Sequence, residues 1–234
     1  MAAGEARKLH RSNKLPVMIV DLDAGAPSPR RRGRPRKTED ERDEGNRRRD
    51  LVRAAATLFR RKGFDATTTR DIAAAVGMHA GSPFYHFKSK RALLQAVMEE
   101  GLRAASARLV EALAATADDP PGDTRPLMRR LIRAHFDTLL APGQDFIPVM
   151  LYEWRALTPR QRAGVKSFSD AYEDLWRPML QRLADEGRLR GDLALARLLM
   201  FGAMNWSAQW YDHRKRASLD DLADATLALF VHDA

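Results

Sequence analysis

Side chains able to do covalent or metal chemistry are few in this 234-residue chain, and badly placed for it. The six histidines, His10, His79, His86, His135, His213 and His232, form no His-x-x-x-His pair and no carboxylate-paired ligand spacing. Cysteine is absent, which removes thiolate ligands, thiol nucleophiles and disulfides. No Gly-x-Ser-x-Gly elbow or phosphate-cradling glycine loop occurs. The paired carboxylates Asp118-Asp119 and Asp220-Asp221 stand beside a Pro/Gly turn or at a helix start, where aspartate is expected for local reasons. These patterns predict no catalysis, no metal and no cofactor. What remains is charge and hydrogen bonding, and it is unevenly distributed. Residues 1–91 hold 22 Lys/Arg against 11 Asp/Glu, and residues 92–234 hold 18 against 20, so all of the net +9 comes from the first part. A localised basic excess is what neutralising nucleic-acid phosphates requires, and a merely soluble basic surface would not segregate in this way.

Within the basic part, one short stretch has side chains suited to base edges. His79, Ala80, Gly81, Ser82 and Tyr85 combine small residues that permit close approach with groups that donate or accept hydrogen bonds. Arg70, at a helix start, adds a phosphate donor where the helix terminus itself attracts anions. Three short helices must hold these groups. Leu51, Ala55, Leu58 and Phe59 form one apolar stripe of a helix beginning near Asn46 and ending near Lys62, with Gly63 as stop signal. Thr68 and Asp71 make a Thr-x-x-Asp capping box for a second helix that buries Ile72, Ala73 and Val76 and ends at Gly77. Pro83 has no backbone donor, so a third, shortened helix is expected to start there with Ser82 as its cap and to reach Phe87. This arrangement is a helix-turn-helix. Residues 1–44, rich in Arg, Pro and Gly, read as a flexible basic extension. Its Arg-Gly-Arg-Pro stretch around Arg34 is either an AT-hook-like minor-groove element or a tail that binds phosphates without selectivity.

The ordered string from Thr68 through Arg70, Asp71, Ile72, Gly77, Gly81, Phe84, Tyr85, His86 and Phe87 to Lys90 resembles the signature of TetR-family repressors. With Leu51 to Phe64 and Ala92-Leu93-Leu94, the resemblance covers about 45 residues. It implies an N-terminal helix-turn-helix domain (45–91) that binds double-stranded operator DNA, followed by a helical domain (92–234) for effector binding and dimerisation. It also implies that Thr68, His86 and Lys90 contact or position the DNA backbone; the residues alone leave His86 open to capping or packing, and Lys90 to being a solvated lysine. Two positions depart from the family pattern. Phe84 stands where most members carry a tyrosine, and Pro83 puts the register of base contacts in question.

Residues 92–234 read as all helix, with segments at Leu93–Ala115, Arg125–Leu140, Asp145–Ala156, Pro159–Asp185, Leu193–Tyr211 and Leu219–Val231 separated by Pro/Gly breaks. An all-α bundle of this size offers a cavity between helices. Met150, Trp154, Phe168, Tyr172, Trp176 and Met179 supply bulky apolar surface for a small-molecule effector, and Asn205 is a polar residue on an apolar helix that either faces the ligand or bonds a neighbour. Intrachain core is the competing reading for all of these. Gly202, Ala203, Trp206 and Trp210 suit a homodimer interface through the last two helices, as the family resemblance implies. The string Gly202-Ala-Met-Asn205-Trp206 is similar to that region in acyl-CoA-responsive repressors, which implies an acyl-CoA thioester as effector. No apolar run is long enough to span a membrane and no signal-type segment opens the chain, so a cytoplasmic protein is expected. An architectural DNA-binding protein without an effector is the alternative, and the large, nearly neutral helical part argues against it.

Overall fold

The computed structural model describes residues 39–115, 123–215 and 217–233. Arg34 with its Arg-Gly-Arg-Pro stretch, and the break containing Asp118-Asp119, lie outside the described residues. Within them the regular secondary structure is entirely helical.

Helix α1 spans Glu39–Lys62 and starts about two turns before the expected Asn46. Apolar periodicity begins only at Leu51, and the preceding polar turns carry no signal of that kind. Its end is where the sequence placed it, with Gly63 at φ +81°. Helix α2, Thr69–Ala75, opens on the full capping box: Asp71 N–H donates to Thr68 Oγ1 at 3.1 Å and Thr68 N–H donates to the Asp71 carboxylate at 2.9 Å. Those same bonds hold the Asp71 carboxyl below its usual range. Helix α3, Pro83–His86, is a single turn with Pro83 first, as expected. Ser82 does not cap it, however. Its backbone is already helical (φ −61°, ψ −35°), whereas a capping serine needs an extended backbone to aim its hydroxyl at the following amides. Bonds from Ser82 N to His79 O (2.9 Å) and from Phe84 N to Gly81 O (3.2 Å) form the turn instead.

Helix α4, Lys90–Ala114, begins at Ser89, whose hydroxyl accepts from Ala92 N, three residues before the expected start at Leu93. Helices α5, Arg125–Leu140, and α7, Pro159–Asp185, match their expected limits. Helix α6 is Phe146–Glu153, continued by a 3₁₀ turn through Ala156. The segment expected as one helix to Tyr211 is α8, Leu193–Trp206, followed by a 3₁₀ turn at Ser207–Gln209. Helix α9, Leu219–Phe230, starts on a Ser218/Asp221 capping box, while Asp220 beside it pairs with Arg129 of α5. The local role expected for that carboxylate pair is thus observed for Asp221, whereas Asp220 makes a long-range ion pair.

The core runs along α4, which packs against α1, α5, α6 and α7. Leu94, Val97, Met98 and Leu109 are fully buried there, with Met128, Leu131, Ile132 and Phe136 from α5 and Trp176, Leu180 and Leu183 from α7. Gly101 of α4 marks the closest crossing. A Cβ on it would stand 2.7 Å from Phe146 Cβ and 3.3 Å from Ile147 Cδ1, so only glycine lets α6 lie this near. Two long-range hydrogen bonds join the ends of α6 to the first three helices: Thr57 Oγ1 donates to Asp145 at 2.7 Å, and Phe64 N–H donates to Glu153 at 3.0 Å. Arg91 Nε donates to Ala156 O at 3.0 Å in the adjoining turn.

Candidate nucleic-acid interface and internal cavity

The α2–α3 turn presents the expected DNA-reading side chains outward. His79, Ala80, Gly81 and Arg70 are exposed, and Tyr85 is 91% exposed. Phe84 is also half out in solvent at 54%, while Pro83 and Phe87 anchor the turn to the core. Two large aromatic rings left in water on a one-turn helix cost apolar exposure that folding alone would not select, which marks a contact surface. Ser82 and His86 are partly covered, and Thr68 is exposed at the start of α2. Helix α1 closes one side of this surface. A cleft lined by Arg47, Asp50, Met78, His79 and Ser82 puts a guanidinium beside the turn, and Arg48 stacks over the Phe87 ring at 4.8 Å. Arg47 was not among the residues expected from sequence; its signal was the Arg47-Arg48-Arg49 run just ahead of the apolar stripe.

Lys90 faces inward. Its ammonium donates to Phe64 O at 2.7 Å and Thr67 O at 2.8 Å and lies 4.2 Å from the Phe64 ring centre. It ties the loop before α2 to the start of α4 and so fixes the angle at which α2 and α3 leave the body. The buried Thr67 hydroxyl completes that loop by donating to Gly63 O at 2.8 Å.

A cavity of about 60 Å³ lies among α4, α5, α6, α7 and α8. Of the side chains expected at a ligand site, Met150, Tyr172 and Asn205 line it. Trp176 and Met179 are buried in the core without lining it, Trp154 sits in the 3₁₀ turn after α6, and Phe168 is turned toward Arg103, whose guanidinium lies 4.8 Å from its ring centre. The missed lining residues include Phe201, Thr138, Ser169, Glu173 and above all His135. His135 is buried, with Nδ1 2.8 Å from Tyr172 Oη, and four aromatic rings surround it, those of Phe136, Tyr172, Trp176 and Phe201. Burial pushes its pKa down to about 4, so the ring is neutral at pH 7. Among the described residues Nε2 has no partner in hydrogen-bonding geometry, although Asn205 is near enough to favour the protonated ring. Glu173 is neutralised at the cavity wall by Arg197 of α8.

Two family models account for most of the chain. The model for bacterial regulatory proteins of the tetR family matches residues 51–97, and the tetracyclin repressor-like C-terminal domain model matches residues 122–233. The chain belongs to the TetR family. Among curated TetR relatives, the HTH-type transcriptional repressor KstR2 of Rhodococcus jostii is 25% identical over 200 residues, which is 84% of this chain and 95% of that protein. The solved structure of the superantigen PfiT is 34% identical, with a TM-score of 0.67 over 83% of this chain and 98% of its own. AibR, solved in complex with isovaleryl coenzyme A and operator DNA, shares the fold at a TM-score of 0.69 and 21% identity, covering 79% of this chain and 97% of its own. As a TetR-family protein the chain is a DNA-binding transcriptional regulator, and the exposed α2–α3 turn is its helix-turn-helix.

Proposed function

We propose that this TetR-family protein is a homodimeric, cytoplasmic repressor, without catalytic activity, that an apolar effector of the acyl-CoA class releases from its operator. The observation that carries the reading is the double attachment of α6. Ile147 and Met150, inside the helix, line the cavity, while Asp145 and Glu153 at its ends bond Thr57 and the Phe64 amide of the DNA-binding part. A cavity of about 60 Å³ has room for no more than a few waters. An acyl group must therefore spread α6 from α4 and α7 to enter, and that displacement pulls on both attachments. Two recognition helices must meet major-groove segments a helical turn apart, so a small change in their separation ends simultaneous docking. The naming of KstR2 as a repressor, and the solution of AibR with both a coenzyme A thioester and operator DNA, support the same reading over an effector-independent architectural role.

In this reading residues 45–91 form the DNA-binding part and residues 92–234 the effector-binding and dimerisation part. Tyr85, His79 and Ser82 reach base edges across a surface opened by Ala80 and Gly81, Thr68, Arg70 and His86 meet phosphates, and Lys90 positions the turn. The second copy covers α8 and α9. Leu195, Leu198, Leu199 and Trp206 on α8 are between 56% and 66% exposed and Leu229 on α9 is 73% exposed, and these are the large apolar side chains that an interface would cover. The test is anisotropy of labelled DNA from upstream of the coding sequence, titrated across a salt series with and without a panel of acyl-CoA thioesters. Selective binding relieved by a thioester supports the reading. Selective binding that no thioester relieves removes the acyl-CoA effector, and binding that follows salt alone removes the operator.

A further inference from the structure

The cavity is apolar except at one end, where a chain of polar groups has a direction. Trp176 Nε1–H can only donate, and it lies close enough to the Tyr172 hydroxyl to lower its pKa without reaching hydrogen-bond geometry. Assigning the Tyr172 proton to its hydrogen-bond partner, His135 Nδ1 at 2.8 Å, leaves a lone pair of the oxygen toward the indole. Burial keeps Tyr172 protonated and His135 neutral, so an Nδ1 that accepts places the ring proton on Nε2. That Nε2–H is a buried donor on a side chain only 6% exposed that lines the cavity, and it has no acceptor in bonding geometry. Of the other polar groups of the wall, Thr138 and Glu173 are committed, while Ser169 and the Asn205 amide also line it. Thr138 Oγ1 donates to Ala134 O at 2.9 Å, and Glu173 is paired with Arg197.

We infer that this end of the cavity selects effectors carrying an uncharged hydrogen-bond-accepting oxygen, a carbonyl, within their apolar portion, with His135 Nε2–H as its donor and Tyr172 as the residue that sets the tautomer. The inference rests on the effector-binding reading and narrows it. A plain hydrocarbon entering the same space leaves the donor buried and unpaired, whereas a carbonyl oxygen satisfies it. A hydroxyl also accepts but must then place its own proton among apolar side chains. A carboxylate brings a charge that the neutral ring does not compensate. Removal of one unpaired buried donor corresponds to about tenfold in affinity.

The experiment uses the full chain and matched pairs of probes, acetophenone against ethylbenzene and 9-oxodecanoyl-CoA against decanoyl-CoA, with affinity read by calorimetry. In the wild-type protein the oxo member of each pair is expected to bind about tenfold more tightly, and in His135→Phe the ratio is expected to fall to near one. Nitrogen-15 spectra of the wild-type protein are expected to show the Nε2–H tautomer of His135. A ratio near one in the wild type, failure of the oxo probes to bind, a ratio unchanged in His135→Phe, or an Nδ1–H tautomer overturns the inference. If His135→Phe does not fold, the wild-type ratio and the tautomer decide. Operator release by the same thioesters separates the two levels. A His135-dependent preference without release leaves the inference standing and removes the acyl-CoA effector, and equal release by both thioesters does the reverse.

Discussion

Replacing Gly101 by alanine tests whether α4 and α6 are as tightly crossed as the fold requires. The new methyl would stand 2.7 Å from Phe146 Cβ, against the roughly 3.5–4.0 Å at which carbon atoms pack, and 3.3 Å from the Phe146 carbonyl carbon. Neither atom is the free end of a side chain, so α6 itself must shift by about 1 Å. Overpacking of this kind costs about 1–3 kcal/mol, and the better helix propensity of alanine returns roughly 0.5–1 kcal/mol. The net loss of up to about 2.5 kcal/mol corresponds to a Tm lower by up to about 10 °C in a unit of this size. Gly164 of α7 provides the control, since its added methyl would meet only the movable Gln95 amide at 3.2 Å. Gly164→Ala is expected to raise Tm by about 1–4 °C through helix propensity alone. The assay is calorimetry of both variants at one protein concentration, because association shifts Tm. A stabilised Gly101→Ala would refute the close crossing, and with it the transmission through α6. The same variant is expected to bind operator at least threefold more weakly without effector, because the shift displaces the Asp145 and Glu153 attachments.

Tyr85→Ala is expected to leave Tm unchanged, since the side chain is 91% exposed, and to weaken operator binding at least tenfold in the anisotropy assay. Leu199→Glu places a charge on the apolar strip of α8 and is expected to give a monomer by sedimentation at micromolar concentration. Thr68→Ala removes the acceptor for Asp71 N and is expected to lower Tm by a few degrees; because the folded-state pKa of Asp71 is depressed, the loss is expected above about pH 4 and to fade below it, as the carboxylate protonates. His135 works in the opposite sense from a group stabilised by charge. Its folded pKa is about 4 against 6.5 for the free side chain, so the unfolded chain binds the extra proton. Stability is full above about pH 6.5 and is lost progressively as pH falls toward 4, and urea midpoints of His135→Gln are expected to lack that segment of the pH profile.

Several helix starts were legible from sequence because they rest on local chemistry, although the Ser89 cap of α4 was missed and Ser82 does not cap α3. Thr68 with Asp71, Pro83 in a first turn and Thr158-Pro159 needed nothing distant to explain them. The beginning of α1 was not legible, because Glu39 to Asn46 has no apolar repeat. The cavity was legible only in part. Large apolar residues on α6 and α7 announce a core, but which of them border a space depends on helix rotation, so Met150 and Tyr172 line it while Trp176 and Phe168 turn elsewhere. His135 escaped notice because a single histidine on an apolar helix face has no partner within its own segment. Its partners come from α7 and α8, 37 and more residues away.

The bonds from α6 to the first helices bear on any attempt to build sensors by joining one regulator's reading head to another's sensing body. A cut at residue 91 leaves each half with its own helices intact but separates Thr57 from Asp145, the Phe64 amide from Glu153 and the Arg91 guanidinium from the Ala156 carbonyl. A hybrid whose donor body lacks acceptors at those three places would fold and take up its inducer, yet stay deaf, holding its promoter shut at any dose. Compatibility between parts is therefore set by groups at residues 145, 153 and 156, far beyond the joint, and choosing the donor by those positions would precede any optimisation of the splice itself.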